Sequence, residues 1–247
     1  MSSSFVETEY SPFSRPNGRY PHSLSAWQEL LQVPSGTLKP GELLIPAISE
    51  RKLERAISWL AEKITSLQRT HNQRLIVLYN KYGAVSIGEK LAIMLKDNPD
   101  ISFHAIHVTS ATGYQTFDEP QLKEWPNVDL TNAIVFIVED IGDSGNSLDI
   151  CTQVAMQSGV EPENLLTFNL LEKDRPQFSK AHHPDLAGLK VRDTFLVGGS
   201  TLDSGTDDKK REATLRQLRN VFHVVTIPFL RTLLAFFSST TNQGVTR

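Results

Sequence analysis

Ala133-Ile134-Val135-Phe136-Ile137-Val138-Glu139-Asp140-Ile141-Gly142-Asp143-Ser144-Gly145-Asn146-Ser147-Leu148 is the stretch on which the fold turns. Six apolar residues, Ala133 to Val138, run into two adjacent acids. A loop of small residues follows, and then a helical pattern. A continuous apolar run bounded by turn residues predicts a central parallel strand covered on both faces. Ligands of such sheets bind at the carboxyl ends of the strands. Gly142 and Gly145 let the backbone curl so that successive N–H groups converge on one anion. Ser144 and Ser147 add hydroxyl donors, and a helix beginning near Ser147 aims its positive end at the same point. Glu139 and Asp140 repel phosphate but accept hydrogen bonds from vicinal sugar hydroxyls or hold a Mg²⁺-bound ribose. Asp143, inside the loop, is placed to handle a proton. The alternative is an acidic, glycine-rich strand-to-helix turn with Ser147 as the helix cap. A Walker-A loop is excluded, because no Gly-Lys-Ser/Thr follows the glycines. A dinucleotide fingerprint does not place an acid pair before its first glycine.

Segment 138–148 resembles the phosphoribosyl pyrophosphate (PRPP) motif of type I phosphoribosyltransferases, and most of all that of their hypoxanthine-guanine branch. The resemblance extends over about residues 42–226. It implies an α/β fold: a central, mostly parallel sheet flanked by helices, with a small hood and N- and C-terminal extensions. It also implies an enzyme that transfers 5-phosphoribosyl from PRPP to a 6-oxopurine, with Mg²⁺, and releases pyrophosphate. In that frame Glu139 and Asp140 hold the ribose and the metal. Ser144, Gly145, Asn146 and Ser147 take the phosphate, and Asp143 is the catalytic group that meets N7 of the base.

Two later segments extend the match. Leu170-Leu171-Glu172-Lys173 ends a strand where the family carries a lysine facing the exocyclic oxygen of the purine. Taken alone, Lys173 reads as an ordinary solvated lysine. Segment 193–203, Asp-Thr-Phe-Leu-Val-Gly-Gly-Ser-Thr-Leu-Asp, resembles the family's run ending Gly-x-x-Leu-Asp. There Phe195 stacks on the purine, the Leu196 backbone meets the base edge, and Asp203 holds a second Mg²⁺ through water. Taken alone, Phe195 is a core residue and Asp203 a turn residue. Arg219-Asn220-Val221-Phe222-His223 resembles the closing segment, in which an arginine binds pyrophosphate.

The chain also departs from the pattern. After the Arg74–Tyr79 strand the family carries a Gly-Gly pair and a cis peptide; here the run is Leu78-Tyr79-Asn80-Lys81-Tyr82-Gly83. Lys81 is either a cation for pyrophosphate or a solvated side chain. The family's lid begins Ser-Tyr, but this chain has Ser110-Ala111, with Tyr114 displaced. Residues 204–218 contain an insertion. A catalytically weak or inactive relative that binds nucleotide or PRPP as a regulatory module is therefore the competing reading.

Composition sets the outer bounds. A chain of 247 residues with 39% hydrophobic residues and a net charge of −3 builds one α/β domain with extensions. It carries no nucleic-acid footprint. The single cysteine, Cys151, rules out an intrachain disulfide framework, and its helical spacing with Val154 and Ala155 predicts a core position. The amino terminus lacks a signal pattern and no apolar run reaches membrane length. A reducing, cytoplasmic setting and a homodimer or homotetramer are expected.

The expected organisation is an irregular arm over 1–40, a phosphoribosyltransferase-like domain over 41–227, and an apolar helix and tail over 228–247. Within the domain the pattern predicts a short edge strand at 41–45 and a helix from Ser49 through Leu67. Further strands are expected at 74–79, 101–108, 133–138, 165–171 and 194–197, and Val221–Ile227 is expected to close the sheet. Helices are expected over 85–95 and from Ser147 to near Gly159. Thr109–Asn132 shows no period. His182-His183 reads as a solvated loop pair.

Overall fold

The structure is a computed structural model, and it describes residues 42–112, 115–174, 183–200, 209–219 and 221–226, with Leu38 and Leu202. The predicted arm, the C-terminal helix, Tyr114, His182 and Asp203 lie outside the described residues. In chain order the elements are β1 (Glu42–Ile48), α1 (Glu50–His71), β2 (Arg74–Asn80), α2 (Val85–Met94), β3 (Ile101–Thr112) and β4 (Gln115–Glu124). They continue with β5 (Ala133–Gly142), α3 (Asn146–Gln157), β6 (Leu165–Asp174), β7 (Leu186–Arg192), β8 (Leu196–Gly198), α4 (Lys209–Arg216) and β9 (Val221–Thr226).

Six strands form one sheet in the order β4-β3-β2-β5-β6-β7, and β1-β9-β8 form a second, three-stranded sheet. In the large sheet β3, β2, β5, β6 and β7 pair in parallel, and only β4 runs antiparallel, at the edge. The alternation along β5 explains its burial. Ile134, Phe136 and Val138 enter the core under α1 and α2, whereas Ala133, Val135 and Ile137 enter the core under α3. Both faces are covered, so all six apolar residues are buried.

Helix α1 forms because Leu53, Ala56, Ile57, Leu60 and Ile64 recur at helical spacing and are buried along one stripe. It ends at Asn72, whose left-handed φ of 51° lets its N–H close on Gln68 O. Ser49 occupies the N-cap position but makes no side-chain cap bond. Cys151 is fully buried on α3, and burial, with Glu139 nearby, pushes its thiol up. This is a core cysteine, as the spacing predicts.

Several expectations need correction. The aperiodic stretch after Val108 is a hairpin: β3 continues to Thr112 and pairs with β4. Register shifts between His107 and Val108 and between Thr109 and Ala111 break the two-residue alternation. Pro120 is tolerated because β4 is an edge strand. Val221–Thr226 does not close the large sheet; it is the middle strand of the small one. Strand β7 has no clear alternation, and its Gly188 is required because a Cβ there would lie 2.7 Å from Leu170 O. The insertion contains α4, which shows no apolar period and of which Leu215 is buried. Finally, α3 is capped by Gly145 at φ 81°, not by Ser147.

Candidate active site

The carboxyl ends of β2, β5 and β6 converge, and each delivers polar side chains to a sheet whose interior is otherwise apolar. Glu139 and Asp140 are adjacent and therefore point to opposite faces. Glu139 lies on the α3 face, where Asn80 Nδ2 approaches its Oε1 at 3.4 Å and also donates to Val108 O at 3.0 Å. Burial, and then the neighbouring Asp140 charge, push the Glu139 carboxyl up to about 8, with the Asn80 amide opposing them. Asp140 Oδ1 accepts the Ile141 N–H at 2.9 Å. The chain after β2 passes directly over this carboxylate: a Cβ on Gly83 would lie 2.5 Å from Asp140 Oδ1. Gly83 is thus a close-approach glycine that the sequence pattern did not single out.

The loop after β5 has the expected build. Gly145 takes a left-handed conformation, Ser144 Oγ accepts the Asn146 N–H at 3.4 Å, and α3 starts immediately. Asp143 meets Lys173 from the end of β6, with Nζ 2.9 Å from Oδ1. Lys173 is 7% exposed, which removes the solvated reading. Asp193 lies 3.7 Å from the same ammonium and ties the start of the 193–198 segment to this point. Beyond it, Phe195 is half-buried against the small-sheet cluster that includes Leu44, Val197 and Leu215, and Leu196 is buried in β8. The structure thus joins Asp143, Lys173 and the segment bearing Phe195 and Leu196, while the Phe195 ring packs onto the small sheet. His183 is not simply solvated; its Nδ1 lies 2.7 Å from Glu172 Oε1.

On the other side, Lys81 Nζ pairs with Glu124 at the end of β4, 2.6 Å away. Its N–H donates to Ile106 O, and the Tyr82 ring lies 4.5 Å from that of His107. The Leu78–Tyr79 peptide is trans. Arg219, the arginine expected at pyrophosphate, is 77% exposed and pairs with Glu50 at the start of α1, 3.6 Å away. The arginine that reaches the 80–83 turn is Arg216 of α4, which donates to the Tyr82 carbonyl. Leu-Arg-Gln-Leu-Arg offers both arginines three residues apart, on one stripe of a continuing helix; α4 ends at Arg216, and the two then point to different neighbours. A larger cavity, of about 220 Å³, is lined by Asp149, Thr152, Met156, His183 and Asp185 and contains none of the predicted residues.

No protein-family model matches the chain. A hypoxanthine phosphoribosyltransferase of Buchnera aphidicola subsp. Schizaphis graminum is 27% identical over 152 residues, covering 61% of this chain and 83% of that protein. The hypoxanthine phosphoribosyltransferase of Trypanosoma cruzi, solved with its product IMP, superposes with a TM-score of 0.58 at 22% identity. That alignment covers 78% of this chain and 98% of the other. The Staphylococcus aureus hypoxanthine phosphoribosyltransferase gives a TM-score of 0.55 at 20% identity, over 72% of this chain and 89% of that one.

The chain has the type I phosphoribosyltransferase fold. The sequence likeness is to a hypoxanthine phosphoribosyltransferase, and the solved structures share the fold. In this phosphoribosyltransferase fold the loop after β5 turns on Gly145 into α3, and the departures from the family's sequence pattern concentrate in the turn after β2. Among the described residues no cluster of three or more His, Cys, Asp or Glu side chains is arranged to hold a metal ion. The donors still suit Mg²⁺, which keeps several waters and takes one or two carboxylates together with substrate oxygens. Burial, and then the Asp140 charge, hold the Glu139 carboxyl up, and a bound cation would offset both. No helix among the described residues is long and apolar enough to cross a membrane.

Proposed function

We propose that this chain is a purine-salvage phosphoribosyltransferase that transfers 5-phosphoribosyl from PRPP to a 6-oxopurine, hypoxanthine or guanine, and releases pyrophosphate. The observation that carries this reading is the ion pair between the buried Lys173 and the half-exposed Asp143 beside the glycine loop. A base-recognition pair stands next to a sugar-phosphate cradle.

Displacement at C1 of the ribose builds positive charge on the sugar and negative charge on the leaving pyrophosphate. Catalysis then consists of positioning and electrostatics. The loop N–H groups of 144–147 and the α3 N-terminus hold the 5-phosphate. Glu139 and Asp140 accept the ribose hydroxyls. Lys173 donates to the 6-oxo group, and Asp143 accepts a hydrogen bond from N7 and takes a proton as N9 attacks. Phe195 and Leu196 border the base, and Lys81 stands at the pyrophosphate side. Arg216, which already touches the Tyr82 carbonyl, is the better placed arginine for that side than Arg219. Mg²⁺, when bound with PRPP by Glu139, Asp140 and Asp203, supplies neutralisation of the leaving group. The enzyme is proposed to be cytoplasmic and homo-oligomeric, which light scattering checks.

The deciding experiment incubates purified protein with PRPP, Mg²⁺ and each of hypoxanthine, guanine, xanthine, adenine and uracil, and reads nucleotide formation. Nucleotide from the 6-oxopurines is expected. Lys173→Ala should then weaken these bases relative to adenine by about 1.5–3 kcal/mol, the worth of a lost charge-assisted hydrogen bond. The Lys81–Glu124 pair favours the second reading, a weak or inactive binding module, because it engages a cation on the pyrophosphate side. PRPP binding without turnover on any base would establish that reading instead.

A further inference from the structure

Asn169 on β6 is 2% exposed, and its Oδ1 has no hydrogen-bond partner among the described residues. It is the register partner of Glu139 across β5 and β6. Glu139, Asp143, Ser144, Ser147 and Asn169 line one cavity of about 30 Å³ beneath the glycine loop. A Cβ on Gly142 would come within 2.2 Å of Asn169 Nδ2, so the loop rests on this amide. The resemblance and the sequence pattern assigned Asn169 no role.

A buried carbonyl oxygen that meets no donor opposes folding, and a leucine of the same shape would remove that cost. The donor that the described residues do not provide is one a ligand filling the cavity can supply. Ionised phosphate oxygens only accept, so phosphate does not satisfy Oδ1. The proposed purine side lies at Lys173 and Asp143. A sugar hydroxyl is a donor, and a cavity of this size admits one hydroxyl. Asn169 stands beside Glu139, level with the group already expected to meet the sugar. We propose that Asn169 is a specificity-determining residue whose Oδ1 accepts a hydrogen bond from a ribose hydroxyl and so favours ribose over deoxyribose ligands. This rests on the reading of the site as a nucleotide site. A deoxy ligand leaves the buried oxygen unmet, which is the arrangement that discriminates most sharply against an analogue lacking a hydroxyl.

The test uses the full chain and its Asn169→Leu and Asn169→Asp variants. Each is titrated calorimetrically with inosine 5′-monophosphate and with its 2′-deoxy and 3′-deoxy forms. For one of the two hydroxyls, Asn169→Leu should lower the ribose preference by on the order of tenfold, while affinity for the matching deoxy form stays unchanged. Asn169→Asp, which keeps an acceptor there, should retain the preference. An unaltered preference at both hydroxyls in the leucine variant overturns the proposal. A second measurement needs no ligand: the leucine variant should melt at or above the wild-type temperature. A lower melting temperature would mean that Oδ1 is already satisfied in the free protein, which also overturns the proposal. If the wild-type chain bound none of the three nucleotides, the phosphoribosyltransferase reading would fail, while the melting comparison would still decide whether the oxygen is unmet.

Discussion

The two strand ends that frame the site are built on opposite plans. The end of β5 is a loop of glycine and serine that turns on the left-handed Gly145 and leads straight into a helix. The turn after β2 is Asn80-Lys81-Tyr82-Gly83, and each of these residues engages a neighbour: Val108 and Glu139, Glu124, His107 and Arg216, and the Asp140 carboxylate. The first plan is a short backbone turn whose polar contacts are local or reach only the neighbouring strand end. The second offers a shaped wall whose groups must exchange partners when a ligand arrives. Loop geometry at β5 is therefore encoded locally, whereas the β2 turn is encoded by residues far along the chain.

The sharpest way to break this contrast is to remove the group that the β5 loop alone supplies. Asp143→Asn should lower turnover by about 10²–10⁴-fold, the usual worth of a positioned acid–base group. Steady-state kinetics with hypoxanthine checks it, and retained turnover would put the chemistry elsewhere.

Close packing in the β2 turn gives the next largest effect. Gly83→Ala should destabilise the protein by about 1–3 kcal/mol through overpacking against Asp140, as measured by denaturant unfolding. A Cβ at Gly142 likewise meets a buried side-chain end, the Asn169 amide, so Gly142→Ala measures the β5 end in the same way. Equal costs would show that the two ends are equally rigid.

The paired acids make a third distinction. The native Glu139 carboxyl, at about 8, keeps a proton that the unfolded chain releases near 4.5. The stabilising effect of that retained proton is fully present below 4.5 and is lost as pH rises through about 8. The melting temperature of the ligand-free protein should accordingly fall from pH 5 to pH 8, and Glu139→Gln should flatten that slope. A wild-type curve flat over this range would mean that the carboxyl is better solvated than its position implies.

The smallest effect belongs to the Lys81–Glu124 pair. Glu124 is 61% exposed, so Glu124→Gln should leave stability nearly unchanged. By releasing Lys81 it should lower the inhibition constant for added pyrophosphate. An unchanged constant would remove Lys81 from the pyrophosphate side.

Sequence reading reached the β5 end because every determinant there lies within 16 consecutive residues, from Ala133 to Leu148. The apolar run, the two acids, the glycines and the helix start are neighbours in the chain. The same logic found α1, β2 and β6, whereas the place of Lys173 came from the resemblance alone. It missed the β3–β4 hairpin because bulges scramble alternation, and β7 because a close-approach glycine interrupts it. It did not single out Arg216, because only tertiary structure sets where α4 stops and which arginine then meets the Tyr82 carbonyl. Asn169 reads as one more polar residue in a strand; its unmet oxygen is visible only once β5, β6 and the loop are assembled. The Asp193 contact with Lys173 likewise joins the ends of two neighbouring strands that are distant in the chain.

The pairing of β1 with β9 bears on how the chain is made. The first strand finds its partner only when the last described strand emerges, ~170 residues later. At synthesis rates of roughly 5–20 residues per second, that interval is on the order of ten to thirty seconds. Throughout it Leu44, Ala47 and Ile48, all buried in the finished protein, wait beside a large sheet that is already able to assemble. The small sheet is thus a late clasp, and a ribosome stalled before Val221 would release a chain with its sugar-phosphate loop formed and its first strand unpaired.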